Sequence, residues 1–404
     1  MKNVIILLFL CLLTACSKPS WQLTDGLWRG VFHAQETEIP FLFDVTSADT
    51  GNPVVTLMNG EERVVLTDVA YRNDSVIIPI KIYDAALEAK VNGKSMSGRL
   101  VKFYSNRPDG RVPFTAQTGV SSRFEVAGEK PTVSLDGRWE ITVPGRDMGQ
   151  VGVFTQKSDG YLTGSILTPT GDYRYLEGTV QADRFYLSAF AGLTPYLIRG
   201  HFTDADTFIA EFITPGGIST FEGIRNPDAV LPDAYAMTML QPGYASLRFR
   251  LPDLDGREVS LDDPKYKGKV VIVSLLGSWC PNCIDEAAFL SPWYKANRTL
   301  GVEVVGLAFE RKDDIEYARN QLSELMKQHD ITYDILFAGR VGDETVERVL
   351  PELTKLMSYP TTIFIDKKGK VRKIHTGFSG PATGKFYDEF KTGFNQTIRE
   401  LIDE

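Results

Sequence analysis

Cys280 and Cys283 stand two residues apart in Trp279-Cys280-Pro281-Asn282-Cys283. They follow Val270-Val-Ile-Val-Ser-Leu-Leu276, an apolar run rich in β-branched residues that reads as a buried strand. The residues after them, Ile284 to Asn297, read as a helix. A helix N-terminus carries unpaired N–H groups and a partial positive charge, which favour a thiolate over a thiol. The thiolate is the nucleophile of disulfide exchange, and a second cysteine nearly one turn on can close the ring and resolve a mixed disulfide. The spacing alone is equally half of a zinc site.

The remaining cysteines narrow that choice. The chain has four, Cys11, Cys16, Cys280 and Cys283, and its four histidines, His33, His201, His329 and His375, form no closely spaced pair. A structural zinc ion needs four ligands, so zinc finds no set here. Residues 1–15 join a short basic start to an apolar run ending Leu13-Thr14-Ala15 before Cys16, too short and wrongly flanked for a membrane span. This resembles a bacterial lipoprotein signal, with cleavage before Cys16 and lipid on its sulfur; a plain secretory signal is the alternative. Cys11 would leave with the signal, and residues 16–20 would be a tether. By resemblance to lipoprotein sorting signals, the lack of Asp after Cys16 favours the outer membrane. Export places the protein in an oxidising compartment. One free pair, Cys280 and Cys283, then remains to act on other proteins.

With 404 residues, the chain calls for two or three domains. A net charge of -8 with no basic run argues against nucleic-acid binding. Between about 21 and 225, short apolar runs alternate with Gly, Asn and Asp turns, as in Val54-Val-Thr-Leu-Met58 before Asn59-Gly60. This half reads as antiparallel all-β, meander or small-barrel-like. It also reads as a repeat. Asp25-Gly26-Leu27-Trp28 returns as Asp136-Gly137-Arg138-Trp139, Phe43 as Phe154 and Gly60 as Gly171, all at an offset of 111, and Leu66 and Leu87 return as Leu176 and Leu197 at 110. The expected domains are 21–122 and 131–225. Trp28 and Trp139 read as core anchors. No catalytic constellation stands out in this half. Its tyrosines Tyr161, Tyr173, Tyr175, Tyr186 and Tyr196 would line a groove or, more simply, pair across strands. Residues 226–247, rich in Pro and Asp, read as a linker.

From 248 to 404 strands and helices alternate, giving an α/β domain with a mixed sheet covered on both faces. Expected elements include helices over Ile315–Gln328, Thr345–Leu356 and Phe386–Ile402 and a closing hairpin around Lys368-Gly369. This order resembles the thioredoxin superfamily, and more closely its TlpA/ResA-like branch of thiol-disulfide oxidoreductases. The residues that carry the likeness are Leu251-Pro-Asp-Leu-Asp-Gly256, Gly277-Ser278-Trp279-Cys280-Pro281-Asn282-Cys283, Glu286, and Tyr359-Pro360-Thr361-Thr362-Ile363-Phe364-Ile365-Asp366.

The resemblance implies roles. Cys280 is the exposed attacking nucleophile, Cys283 the more buried resolving cysteine, and Trp279 shields the pair. Pro360 is a cis-proline, and Tyr359, Pro281 and Asn282 face the substrate. Glu286 shares a helix face with Cys283 and moves protons to and from the pair; Asp285 is the solvated neighbour. Asn282, Tyr359 and the Ile284-Asp285 pair depart from the commonest family residues, which leaves potential and substrate open. The implied activity is reduction of protein disulfides, with a membrane electron donor and no cofactor or metal. Two rivals stand beside it. A peroxiredoxin-like peroxidase shares the fold but typically carries Thr where this chain has Gly277. A lipid-anchored binding protein would use its β-domains for glycan or protein. Oligomeric state is not legible.

Overall fold

The computed structural model describes residues 21–105, 107, 110–125, 129–145 and 147–404. The signal segment and Cys16 lie outside the described residues.

Alternating burial along each strand builds the first unit. It is a nine-stranded antiparallel meander running from Gly26–Ala34 to Arg111–Thr118. Its first and last strands pair, with Trp28 opposite Thr118 and Phe32 opposite Phe114. The sheet stays open between Glu62–Leu66 and Ala70–Arg72, so it is a half-barrel. The second unit is closed. Strand Gly137–Thr142 pairs with both Gln150–Gln156 and Gly217–Arg225, and Gln150–Gln156 pairs on with Tyr161–Thr168. Trp28 and Trp139 are both fully buried, and each indole donates to the carbonyl four residues earlier, Thr24 at 3.0 Å and Leu135 at 2.8 Å. A Trp N–H enters a core only where a partner waits, and that i−4 carbonyl supplies it.

The two units share apolar contacts. Phe190 leaves the barrel and enters the half-barrel core, 4.7 Å from Phe32 and 5.2 Å from Phe41 between ring centroids. Fully buried Asn59 takes both peptide groups of Phe190: its Nδ2 donates to the carbonyl at 3.1 Å and its Oδ1 accepts the N–H at 3.0 Å.

The third unit is an α/β domain. Its five-stranded sheet runs Asp334–Arg340, Val302–Glu310, Val270–Leu276, Thr361–Ile365, Val371–Thr376. The first three strands are parallel and the last two pair antiparallel. Val302–Glu310 is buried at every residue, as a strand covered on both faces must be. Helices cover it at Pro281–Asn297, Ile315–His329, Asp343–Val349 and Lys385–Asp403. The expected helix over Thr345–Leu356 is shorter. Pro351 lacks an N–H and disfavours helical geometry at Leu350, so the helix stops at Val349.

The chain between barrel and α/β domain is bound rather than loose. Ala229 is buried, and its carbonyl takes the Arg138 guanidinium of the barrel at 3.2 Å. Further on, the Ala234 carbonyl accepts from the Thr376 N–H at 3.0 Å, the Gln241 N–H donates to the Glu352 carbonyl at 2.7 Å, and the Ala245 carbonyl accepts from the Val371 N–H at 2.9 Å.

Candidate active site

Helix Pro281–Asn297 starts where the fully buried strand Val270–Leu276 ends. Cys280 is its N-cap and accepts the Cys283 N–H at 3.2 Å, while Pro281 fills the first helical position, where a missing N–H costs nothing. The cysteines are joined as a disulfide with Cα atoms 5.2 Å apart. The Tyr359–Pro360 peptide is cis, and the Tyr359 carbonyl lies 3.3 Å from Cys280 Sγ.

Two buried carboxylates flank the pair. Glu286 accepts from Ser274 Oγ at 2.6 Å and Thr362 Oγ1 at 2.5 Å. Burial raises its pKa, and the two hydroxyl bonds work against that rise. Glu310 accepts from the Ser278 N–H and hydroxyl, both at 2.8 Å, and burial pushes its pKa up to about 6 against those bonds. Trp279 donates to the Phe309 carbonyl at 2.9 Å. Its ring meets Tyr359 at 5.7 Å, and the Arg311 guanidinium stands between Trp279 and Tyr104 of the half-barrel.

A turn of the barrel lies on this site. Ser358 Oγ donates to the Thr170 carbonyl at 2.7 Å, and Asn282 Nδ2 donates to the Asp172 carbonyl at 3.3 Å. Asp172 Oδ2 accepts the Gly380 N–H at 2.6 Å. The approach is close enough to require glycine. A Cβ on Gly171 would sit 2.3 Å from Asn282 Oδ1, and one on Gly377 would sit 2.9 Å from the Thr170 carbonyl carbon; both residues have positive φ.

Arg174, at the end of that turn, joins all three units. It pairs with Asp285 of the active-site helix at 2.9 Å and with Glu62 of the half-barrel at 2.7 Å. Burial opposes its charge, but Asp285, Tyr83, Glu62 and Asp172 around it outweigh burial and raise its pKa. The acids outnumber it. Burial therefore dominates at Asp285, whose pKa is pushed up to about 7 despite the guanidinium beside it. Burial likewise raises Asp172, against N–H donation from Gly380 and Arg174.

Cys280, Cys283, Trp279, Glu286, Tyr359, Pro360, Pro281 and Asn282 thus meet at one helix tip and its facing loop. Two expectations need correction. Cys280 is only 5 % exposed and Cys283 2 %, so the difference expected between an open and a buried cysteine is slight. Asp285 is not solvated, because the barrel covers that helix face and pairs it with Arg174. Sequence reasoning missed Glu310, Ser274, Thr362, Asp172 and Arg174. Glu310 ends the apolar run Val304 to Phe309, which is a signal; Arg174 carries none, since its partner Asp285 lies 111 residues away.

These features define a thioredoxin-fold dithiol centre, and comparison with known proteins agrees. Residues 242–374 match the model of the AhpC/TSA family. The chain is 30% identical over 140 residues to the thioredoxin-like protein YneN of Bacillus subtilis (34% of this chain, 73% of that one). It is 29% identical over 140 residues to the thiol-disulfide oxidoreductase ResA of Geobacillus thermodenitrificans (35% of this chain, 72% of that one). Among solved structures, a putative thiol:disulfide interchange protein DsbE from Chlorobium tepidum aligns over 38% of this chain and 98% of its own, at 23% identity and a TM-score of 0.29. The chain belongs to the TlpA/ResA-like thiol-disulfide oxidoreductases of the thioredoxin superfamily, preceded by two β units.

Proposed function

We propose that this oxidoreductase is a lipid-anchored reductase of protein disulfides in the cell envelope, held through Cys16 at the outer membrane. The observation that carries the redox part is the Cys280–Cys283 pair at a helix N-terminus, beside the Tyr359–Pro360 turn and above buried Glu286. The Cys280 thiolate attacks one sulfur of a substrate disulfide, and the other substrate sulfur leaves as thiolate. Cys283, deprotonated with Glu286 as base, then attacks Cys280 Sγ and releases the second substrate thiolate. Two electrons pass to the substrate, leaving the pair oxidised. A membrane-borne dithiol donor restores it. Trp279 shields the pair, and Tyr359, Pro281 and Asn282 meet the incoming polypeptide. The likeness to ResA, a thiol-disulfide oxidoreductase, supports the disulfide chemistry, and the signal-like start of the chain supports export. We read residues 21–122 and 131–225 as a duplicated module, 226–247 as a linker and 248–404 as the redox domain.

Insulin reduction tests the reading. Wild type should reduce it and Cys280→Ser should not; equal rates would overturn the assignment. A pair potential near about -270 mV agrees with a reductase, and one near about -120 mV would reverse the electron flow. Peroxide consumption that depends on Cys280, without insulin reduction, would favour the peroxidase alternative. Loss of membrane association in Cys16→Ser tests the anchor.

A further inference from the structure

A cavity of about 270 Å³ opens where the three units meet, and the redox motif forms part of its wall. Pro281 and Asn282, the two residues between the cysteines, line it from the α/β domain; Tyr83 lines it from the half-barrel; Tyr175, Tyr196 and Phe212 line it from the barrel. We propose that this cavity is a substrate subsite that takes one aromatic or long aliphatic side chain, carried by the polypeptide next to its disulfide cysteine. The inference rests on the disulfide-exchange reading above.

Size comes first. The cavity falls just below the range of about 300–1,000 Å³ usual for small-molecule sites, so it suits a side chain better than a cofactor. Chemistry comes second. The charged groups at its edge are engaged with one another. Glu62 takes Asn59 Nδ2 and Arg174, Arg174 also takes Asp285, and Asp172 takes the Gly380 N–H. A ligand is left ring faces, with Tyr196 and Phe212 at 5.3 Å from each other. Walls made mostly of aromatic and aliphatic side chains fit an apolar side chain of a polypeptide.

Position comes third. The turn Thr170–Asp172 lies across Ser358, Gly377 and Asn282, and the cavity opens beside it, bordered by Asp172, Pro281 and Asn282. A substrate joined to Cys280 through its own cysteine advances about 3.3 Å per residue of extended chain, so a residue one or two places away reaches the wall that Pro281 and Asn282 form. The Glu62–Arg174–Asp285 bridge preforms that wall before substrate arrives.

The test uses the mature full-length protein and equal-length peptides with one internal disulfide, flanked by Trp, Leu, Ser or Asp. Wild type should favour Trp and Leu over Ser and Asp in kcat/KM by on the order of ten-fold. Ala191 of the barrel also lines the cavity; Ala191→Trp fills it and should abolish that preference, while reduction of bis(2-hydroxyethyl) disulfide stays unchanged. Tyr175→Ala removes one wall and should weaken the preference without filling the space. Equal rates for all flanks in wild type, or a preference that survives Ala191→Trp, would overturn the proposal. If wild type reduces none of these disulfides, the reductase reading fails on its own. The subsite is then judged by fluorescence-polarisation binding of the same peptides with both cysteines changed to serine. Tighter binding of the Trp peptide that Ala191→Trp removes supports the subsite, and equal binding of all four overturns it.

Discussion

The two β units offer the same corner of chain to different neighbours. In the half-barrel the corner is Asn59-Gly60-Glu61-Glu62; in the barrel it is Thr170-Gly171-Asp172 leading to Arg174, with Gly60 and Gly171 at an offset of 111. The barrel corner touches the redox motif itself, through Asn282, Ser358 and Gly380. The half-barrel corner touches the barrel: Gly60 N donates to Glu177 Oε2 at 2.8 Å, and Glu62 pairs with Arg174. The barrel corner lies on the active site and the half-barrel corner braces it. Two similar turns thus face different neighbours, and a handful of side chains decides which one meets the chemistry.

Arg174→Ala should break this arrangement most. It leaves Glu62 and Asp285 buried without their cation, a loss on the order of 3–5 kcal/mol. Equilibrium denaturation reads the loss, and faster alkylation of reduced Cys280 reads the loosened turn. Unchanged alkylation would mean that the turn docks without the bridge. Asp172→Ala comes next, at about 1–3 kcal/mol, because the Gly380 and Arg174 N–H groups lose their acceptor. It should also speed alkylation. Glu62→Gln should cost least, about 1 kcal/mol, since Asn59 keeps an acceptor and Arg174 keeps Asp285. A Glu62→Gln effect as large as that of Asp172→Ala would erase the distinction between brace and cover.

A separate effect is on pH. Asp285 titrates at about 7 in the folded protein, and its ordinary value is 3.8. Between those values the folded state keeps a proton that the unfolded state has lost, so stability falls as pH rises from about 4 to about 7. Raised Asp172, Glu286 and Glu310 act in the same direction. Denaturation midpoints should therefore decline over this window, and Asp285→Asn should flatten the part of the slope near neutrality.

What the sequence disclosed follows from distance along the chain. The strand before Cys280, the cap at Cys280 and the cis Tyr359–Pro360 turn sit in local motifs, so the redox domain was legible. The β character of the first half showed in turn residues and alternation, and Trp28 and Trp139 were legible as core anchors. One detail escaped: Phe43 faces Trp28, whereas Phe154 faces Gly137, so the first hairpins of the two units differ in register by two residues. A shift of two preserves which side chains point inward. The docking was not legible. A charge on a helix surface reads as solvated, and nothing near Asp285 announces a guanidinium 111 residues away. For the same reason the tyrosines of the barrel divide. Tyr161 and Tyr186 each lie opposite Thr179 in the sheet, while Tyr173, Tyr175 and Tyr196 face the three-way junction.

The bound connector sets a length scale for motion. Ala229 is fastened to the barrel and Ala234 to the edge strand of the α/β domain, which leaves Val230 to Asp233 as the span between the two fastenings. Fully stretched, four residues reach about 14 Å. The barrel therefore cannot drift away from the cysteines as a tethered ball would. It can only swing, pivoting near Val230–Asp233, so any uncovering of Cys280 is a rotation whose radius the connector fixes. Lengthening that span with Gly-Ser repeats would convert the hinge into a leash.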